Sequence, residues 1–234
     1  MGGDKSDRQL DPMLQGLKHG YAVVSINYRL SGEASFPKNI NDVKAAIRWV
    51  KANATTYKMN SDKIALWGGS AGGNLAALAG TSGNVKELED LSLGNTNKSS
   101  RVQAVVDWFG PTNFLLMDEQ LRETGNGIPN HSDSNSPESK VMGQRITQIP
   151  AKVQLCNPET YISSDDPPFL IEQGTKDQLV PTQQSVNFAA KLIPVLSQEK
   201  VTIHLLKNAK HGGPQFETKE NIELVFRFLD AALK

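Results

Sequence analysis

The stretch that most constrains this chain is KIALWGGSAGGNLAALAG, residues 63–80. Residues 64–67 have strand character, the chain breaks into Gly68-Gly69-Ser70-Ala71-Gly72-Gly73, and a run of helix formers at 75–79 follows at once. That is strand, sharp turn and helix. A serine lifted onto the apex of such a turn sits in strained backbone, and neighbours with a Cβ would collide across it, so Gly68 and Gly72 are read as the residues that leave room. The Ser70 hydroxyl then points at the positive end of the following helix, with the Ala71 N–H free to meet a developing oxyanion. The plainer reading is a glycine-rich turn that only packs helix on strand; the flanking elements favour a nucleophile elbow.

Around this stretch the chain alternates. After polar residues 1–8, Leu10-Asp11-Pro12 opens a helix with Asp11 as N-cap, Leu14 and Leu17 as its apolar face and Gly20 as its stop. Residues 21–30, YAVVSINYRL, suit a strand buried on both faces. Ile40, Val43, Ile47 and Val50 then recur at helical spacing. A polar stretch, 82–100, reads as surface, and RVQAVVDWFGP (101–111) is another apolar strand. Over residues 112–164 the periodicity dissolves into Gly, Pro, Ser and Asn with short helical pieces, which reads as an insertion over the strand ends. Alternation resumes with PPFLIEQGTKD (167–177), a helix at 181–192, VTIHLL (201–206) and a closing helix at 219–233. The expectation is one α/β domain over residues 1–234, with a mostly parallel sheet flanked by helices, residues 112–164 as a cap and ligands met at the carboxyl ends of the strands.

That geometry selects partners for the serine. Of the four histidines, His19 ends a helix, His204 lies inside a strand and His131 sits in the polar insertion. Only His211 follows a strand on a flexible loop, NAKHGGP, before a helix, which makes it the base candidate. For the acid, Asp177 follows the strand FLIEQG in GTKDQLVP; its rival is Asp107, near the end of the preceding strand, whereas Asp165 and Asp166 precede a strand at the wrong end of the sheet. Asp177 also has a plain reading as an exposed turn residue. The order Ser, Asp, His is the one expected of a strand-turn-helix nucleophile. Phe114, Leu115, Leu116 and Met117 either wall an acyl pocket or are the core side of a short helix.

Composition excludes other classes. Lys+Arg and Asp+Glu are each 25, with no basic run and few aromatics, which argues against nucleic acid or an anionic membrane as partner. The one cysteine, Cys156, has no internal disulfide partner, and there is no metal-binding Cys/His cluster. No apolar run is long enough to span a membrane.

The segments KIALWGGSAGGNLAAL, SPESKVMG, YISSDDPPFLIEQGTKDQLVP and KHGG resemble the α/β-hydrolase superfamily, and within it the lipase-like bifunctional acetyl-xylan and feruloyl esterases, near the hormone-sensitive-lipase type. The resemblance implies Ser70 as nucleophile, His211 as base, Asp177 as the acid orienting it and the Ala71 N–H as one oxyanion donor, with no cofactor or metal. It implies a serine carboxylesterase acting on short-chain or plant-polysaccharide-linked acetyl or feruloyl esters. The alternatives are an impaired hydrolase-fold remnant or binding protein, or an aminopeptidase or arylformamidase with the same three residues. Gln173 stands where relatives usually carry histidine, a change read as of little catalytic weight. Relatives also carry an HGG-type oxyanion loop a few residues before a stretch like Gly2-Gly3-Asp4-Lys5-Ser6, so the resemblance implies an N-terminally shortened fold of reduced activity. The strand before that loop lies, in relatives, between the 21–30 and 63–69 strands. The expectation is therefore repair, either by residues 21–30 sliding across to pair with the elbow strand or by a second copy in a homodimer or higher oligomer.

Overall fold

The computed structural model describes residues 3–234; Met1 and Gly2, the latter part of the glycine stretch noted above, lie outside the described residues. Four strands, β1 (Ala65–Gly69), β2 (Ala104–Trp108), β3 (Phe169–Gly174) and β4 (Val201–Leu206), form a wholly parallel sheet in the order of the sequence. β2 and β3 are buried at every position, as their unbroken apolar runs require of strands covered on both faces.

The helices are α1 (Asp11–Leu14), α2 (Lys38–Asn53), α3 (Ala71–Thr81), α4 (Met117–Thr124), α5 (Pro137–Met142), α6 (Pro150–Gln154), α7 (Thr182–Leu196) and α8 (Lys219–Leu233). One core lies between the sheet and α2, α3 and α7; a second, smaller core lies under α8 and contains Val106, Trp108, Leu170 and Phe226. The fold class is thus the α/β arrangement expected from the alternation.

Three expectations differ from the structure. The first helix is only one turn of α-helix between 3-10 turns, Leu10 rather than Asp11 is its N-cap residue, and Leu14 and Leu17 are exposed. Too few apolar contacts are on offer there to hold a longer helix. The polar stretch after α3 is not simple surface either. It docks on α2, where Lys44 and Arg48 are fully buried: Lys44 Nζ donates to the Ser82 carbonyl at 2.6 Å and Arg48 pairs with Glu89 and donates to the Asp90 carbonyl. Buried cations persist because each has such partners.

The third difference is the largest. Residues 21–30 form no regular secondary structure and pair with no strand among the described residues, and they do not slide to β1. They are moored by side chains instead: Lys5 N–H donates to Asn27, and Arg29 forms a two-pronged pair with Asp42 of α2. Between this segment and β1 lies a cavity of about 1740 Å³, bordered by residues such as Val24, Ile26, Leu66 and Trp67. β1 is accordingly only half-buried along its whole length. An extended sequence becomes a sheet strand only when a neighbour takes its hydrogen bonds, and the 21–30 segment has none within reach.

Candidate active site

The elbow is built as the glycines imply, with one amendment. Ser70 has φ 55° and ψ −118°, a strained conformation held between β1 and the first turn of α3. Its N–H donates to the Trp108 carbonyl of β2 at 2.9 Å, and its carbonyl accepts from Asn74 N–H at 3.0 Å. A Cβ on Gly68 would lie 2.3 Å from the Gly72 carbonyl oxygen, so the turn admits only glycine at 68. Gly72 itself faces open space; its role in the turn is to bring its backbone, not a missing side chain, against Gly68.

At the carboxyl ends of the strands three side chains meet in a line. His211 Nε2 lies 2.8 Å from Ser70 Oγ, and His211 Nδ1 lies 2.8 Å from Asp177 Oδ2. With Nδ1–H donating to the carboxylate, Nε2 is left to accept the serine hydroxyl. Asp177 is fully buried, and its Oδ1 accepts from the N–H groups of Leu179 at 2.8 Å and Val180 at 3.0 Å. The loop carrying His211 is tied to the one carrying Asp177 by Lys176 N–H donating to the Ala209 carbonyl at 2.8 Å. Gly174 is needed where these loops meet, since a Cβ there would lie 2.4 Å from the Lys210 carbonyl oxygen. Phe109 packs edge-on against the His211 ring at 4.7 Å.

The rival acid, Asp107, is not in this line. Its Oδ1 accepts from Gly110 N–H at 3.0 Å and presses on the backbone at Gly73 and Gly110, and complete burial pushes its pKa up to about 7. Asp165 pairs with Arg101 and Asp166 accepts from Ser163, both remote from His211 as their place before β3 implies. His204 pairs with the buried Glu172 at 3.0 Å and His19 stacks on Phe226.

Gln173 matters more than the sequence suggested. Fully buried, it donates from Nε2 to Asp177 Oδ2 at 2.8 Å and to the Val180 carbonyl at 3.1 Å, while its Oε1 accepts from Ser185 at 2.9 Å. A polar side chain one residue before the end of β3 and four before Asp177 was the available signal.

The cavity beside β1 continues to Ser70 and His211, where Phe114, Val141 and Val180 border it. Phe114 is the one member of the 114–117 run on that border; Met117 is fully buried in the core and Leu115 packs against it. Among the described residues no helix is long and apolar enough to cross a membrane.

Comparison with known proteins adds the following. The family described as BD-FAE matches residues 1–192. A probable carboxylic ester hydrolase of Mycobacterium tuberculosis, LipM, is 33% identical over 84% of this chain, which spans only 43% of that protein's length. Among solved structures, a bifunctional GH43-CE protein of Bacteroides eggerthii aligns with a TM-score of 0.86 and 36% identity over 96% of this chain and 29% of its own. A truncated form of a carbohydrate esterase from gut microbiota aligns at 0.83 with 34% identity, covering 92% of this chain and 75% of its own.

Proposed function

This chain belongs to the BD-FAE family, and we propose that it is a serine carboxylesterase acting on short-chain or carbohydrate-linked acyl esters. The observation that carries the reading is the pair of 2.8 Å contacts joining Ser70, His211 and Asp177. Ser70 Oγ attacks the ester carbonyl while His211 Nε2 takes its proton, and the alcohol leaves with that proton. Water, activated by the same nitrogen, then releases the acid from the acyl-serine. Asp177 holds the imidazole in the tautomer this requires and stabilises its charged form.

The Ala71 N–H, at the start of α3, is one donor for the oxyanion. The cleft at Ser70 and His211 opens into the cavity beside β1. Residues 112–164 serve as the cap of a single hydrolase domain and border the acyl site through Phe114 and Val141. The structural neighbour named as a truncated form of a carbohydrate esterase supports acylated sugars as the substrate class.

Hydrolysis of p-nitrophenyl acetate by the purified chain and its Ser70→Ala variant tests this. The expected result is turnover that the variant loses; equal rates would refute it. A panel of acetylated and feruloylated saccharides, with amide and formamide controls, resolves the leaving group.

A further inference from the structure

Phe109 meets the serine loop and the histidine loop at once. It follows β2 directly, and its φ of 43° puts a bulky side chain in the left-handed region, where residues of its size are outliers. Such strain persists only where the surroundings over-determine it. Here the Phe109 N–H donates to the Glu172 carbonyl of β3 at 2.7 Å, and its chain neighbours are tied as well. The Trp108 carbonyl accepts the Ser70 N–H at 2.9 Å, Gly110 N–H donates to Asp107 Oδ1 at 3.0 Å, and the Pro111 carbonyl accepts from Asn74 Nδ2 at 2.8 Å.

The tip of the ring fills the space beside two glycines. A Cβ on Gly69, the residue before Ser70, would lie 3.0 Å from Phe109 Cζ and 3.2 Å from Cε2, closer than carbon atoms pack. From the other loop Gly212, the residue after His211, comes so near that a Cβ there would touch the same Cζ at 3.5 Å. The ring packs edge-on against the His211 imidazole with centroids 4.7 Å apart, and against Phe216, also at 4.7 Å. Phe216 is buried in the core under α8, and its carbonyl accepts from Asn221 Nδ2 at 3.1 Å, so the ring is backed by a fixed wall. One side chain thus touches the chain neighbours of both Ser70 and His211, and the Cβ atoms missing at 69 and 212 are the room it takes.

We infer that Phe109 is a positioning residue, whose ring is the spacer that fixes how far His211 Nε2 stands from Ser70 Oγ, 2.8 Å in this structure. The inference rests on the esterase reading of Ser70, His211 and Asp177. It accounts for two glycines outside the Gly68–Gly72 contact and for a strained aromatic residue at the end of a strand. Without the ring the imidazole swings away from the serine, which then lacks its proton acceptor for part of the time.

The test measures kcat and KM on p-nitrophenyl acetate for Phe109→Ala, Phe109→Leu, Gly69→Ala and the double variant Gly69→Ala/Phe109→Ala. It also follows the far-downfield proton resonance of the His211–Asp177 hydrogen bond, assigned by its loss in Asp177→Asn. The expected result for Phe109→Ala is a kcat lower by about 10- to 100-fold with KM within about twofold and a shifted or broadened resonance. Phe109→Leu recovers part of both. Gly69→Ala, whose methyl group pushes the ring, lowers kcat by about tenfold in the wild-type background and little further in Phe109→Ala, because both changes act on one contact. The ring also borders the cavity, so a loss carried by KM alone would make it a wall of the substrate site and overturn the spacer. A kcat in Phe109→Ala equal to wild type, additive losses in the double variant, or a lowered kcat with an unmoved resonance overturns it too. Should Phe109→Ala not fold, Phe109→Leu takes its place in every comparison, and a wild-type kcat there is the refuting result. The resonance is read without substrate, so failure of the esterase reading, seen as a Ser70→Ala variant as active as wild type, is distinguished from failure of the spacer.

Discussion

Gln173→Glu isolates the role of Gln173 because it keeps the shape of the side chain and exchanges an NH₂ for an oxygen. Gln173 uses both of its amide protons, one toward Asp177 Oδ2 at 2.8 Å and one toward the Val180 carbonyl at 3.1 Å. Two like charges 2.8 Å apart repel by about 6 kcal/mol at an effective dielectric of 20, or about four pKa units. The introduced carboxyl therefore keeps its proton past neutral pH and donates it to Asp177 as the amide did. Only the bond to the Val180 carbonyl is lost, about 1 to 1.5 kcal/mol, which is about a tenfold fall in kcat/KM near pH 6. Above pH 7 the proton leaves, a second negative charge builds against Asp177, and activity falls at least a further tenfold by pH 9. The assay is the pH–rate profile on p-nitrophenyl acetate, corrected with Ser70→Ala for spontaneous hydrolysis. Gln173→Leu serves as the control, lowering activity without tilting the alkaline limb. A Gln173→Glu profile parallel to wild type from pH 6 to 9 would show that Gln173 does not govern Asp177.

Asp107→Asn should remove a pH dependence of stability. The Asp107 pKa is raised from 3.8 to about 7 in the fold, so the folded state holds a proton the unfolded chain releases. Its stabilising effect is complete below pH 4 and is lost as pH rises to 7, a change of about 4 kcal/mol. Urea titrations at pH 4, 6 and 8 should show the wild-type minus Asp107→Asn difference moving by that amount; a constant difference refutes it, and esterase activity should persist throughout. Gly68→Ala should abolish activity and destabilise by about 1 to 3 kcal/mol, because its Cβ meets the Gly72 carbonyl. Gly72→Ala faces open space and should leave stability and activity within a few-fold, and matched losses in the two variants would show that the turn does not have this geometry.

Much of the arrangement was legible because it is local. The strand-turn-helix at Ser70 is written in consecutive residues, and the parallel alternation places Asp177 and His211 at the same sheet end whatever the details of packing. What could not be read depends on partners distant in sequence. Residues 21–30 have the composition of a buried strand, yet strand formation is a property of a pair and no neighbour lies within hydrogen-bond reach. Leu14 and Leu17 have helical spacing but meet no surface to cover. Lys44 and Arg48 look like the solvent face of α2 and are instead sealed by Glu89 and the carbonyls of the following loop. His131 looked like a loop residue in a polar insertion because what it meets, Asp118 at its backbone N–H and Glu138 beside its ring, comes from two separate helices.

The sheet is ordered β1-β2-β3-β4, each strand beside its successor in the sequence. A chain emerging from the ribosome can therefore lay the sheet down from one side to the other without waiting for a later strand to be threaded between earlier ones. The three residues at its carboxyl end arrive in the same sequence: Ser70 with the first strand, Asp177 after the third, His211 after the fourth. The serine is thus presented on an incomplete sheet from the emergence of β1 until that of β4, and it acquires a proton acceptor only when β4 and the loop after it have docked.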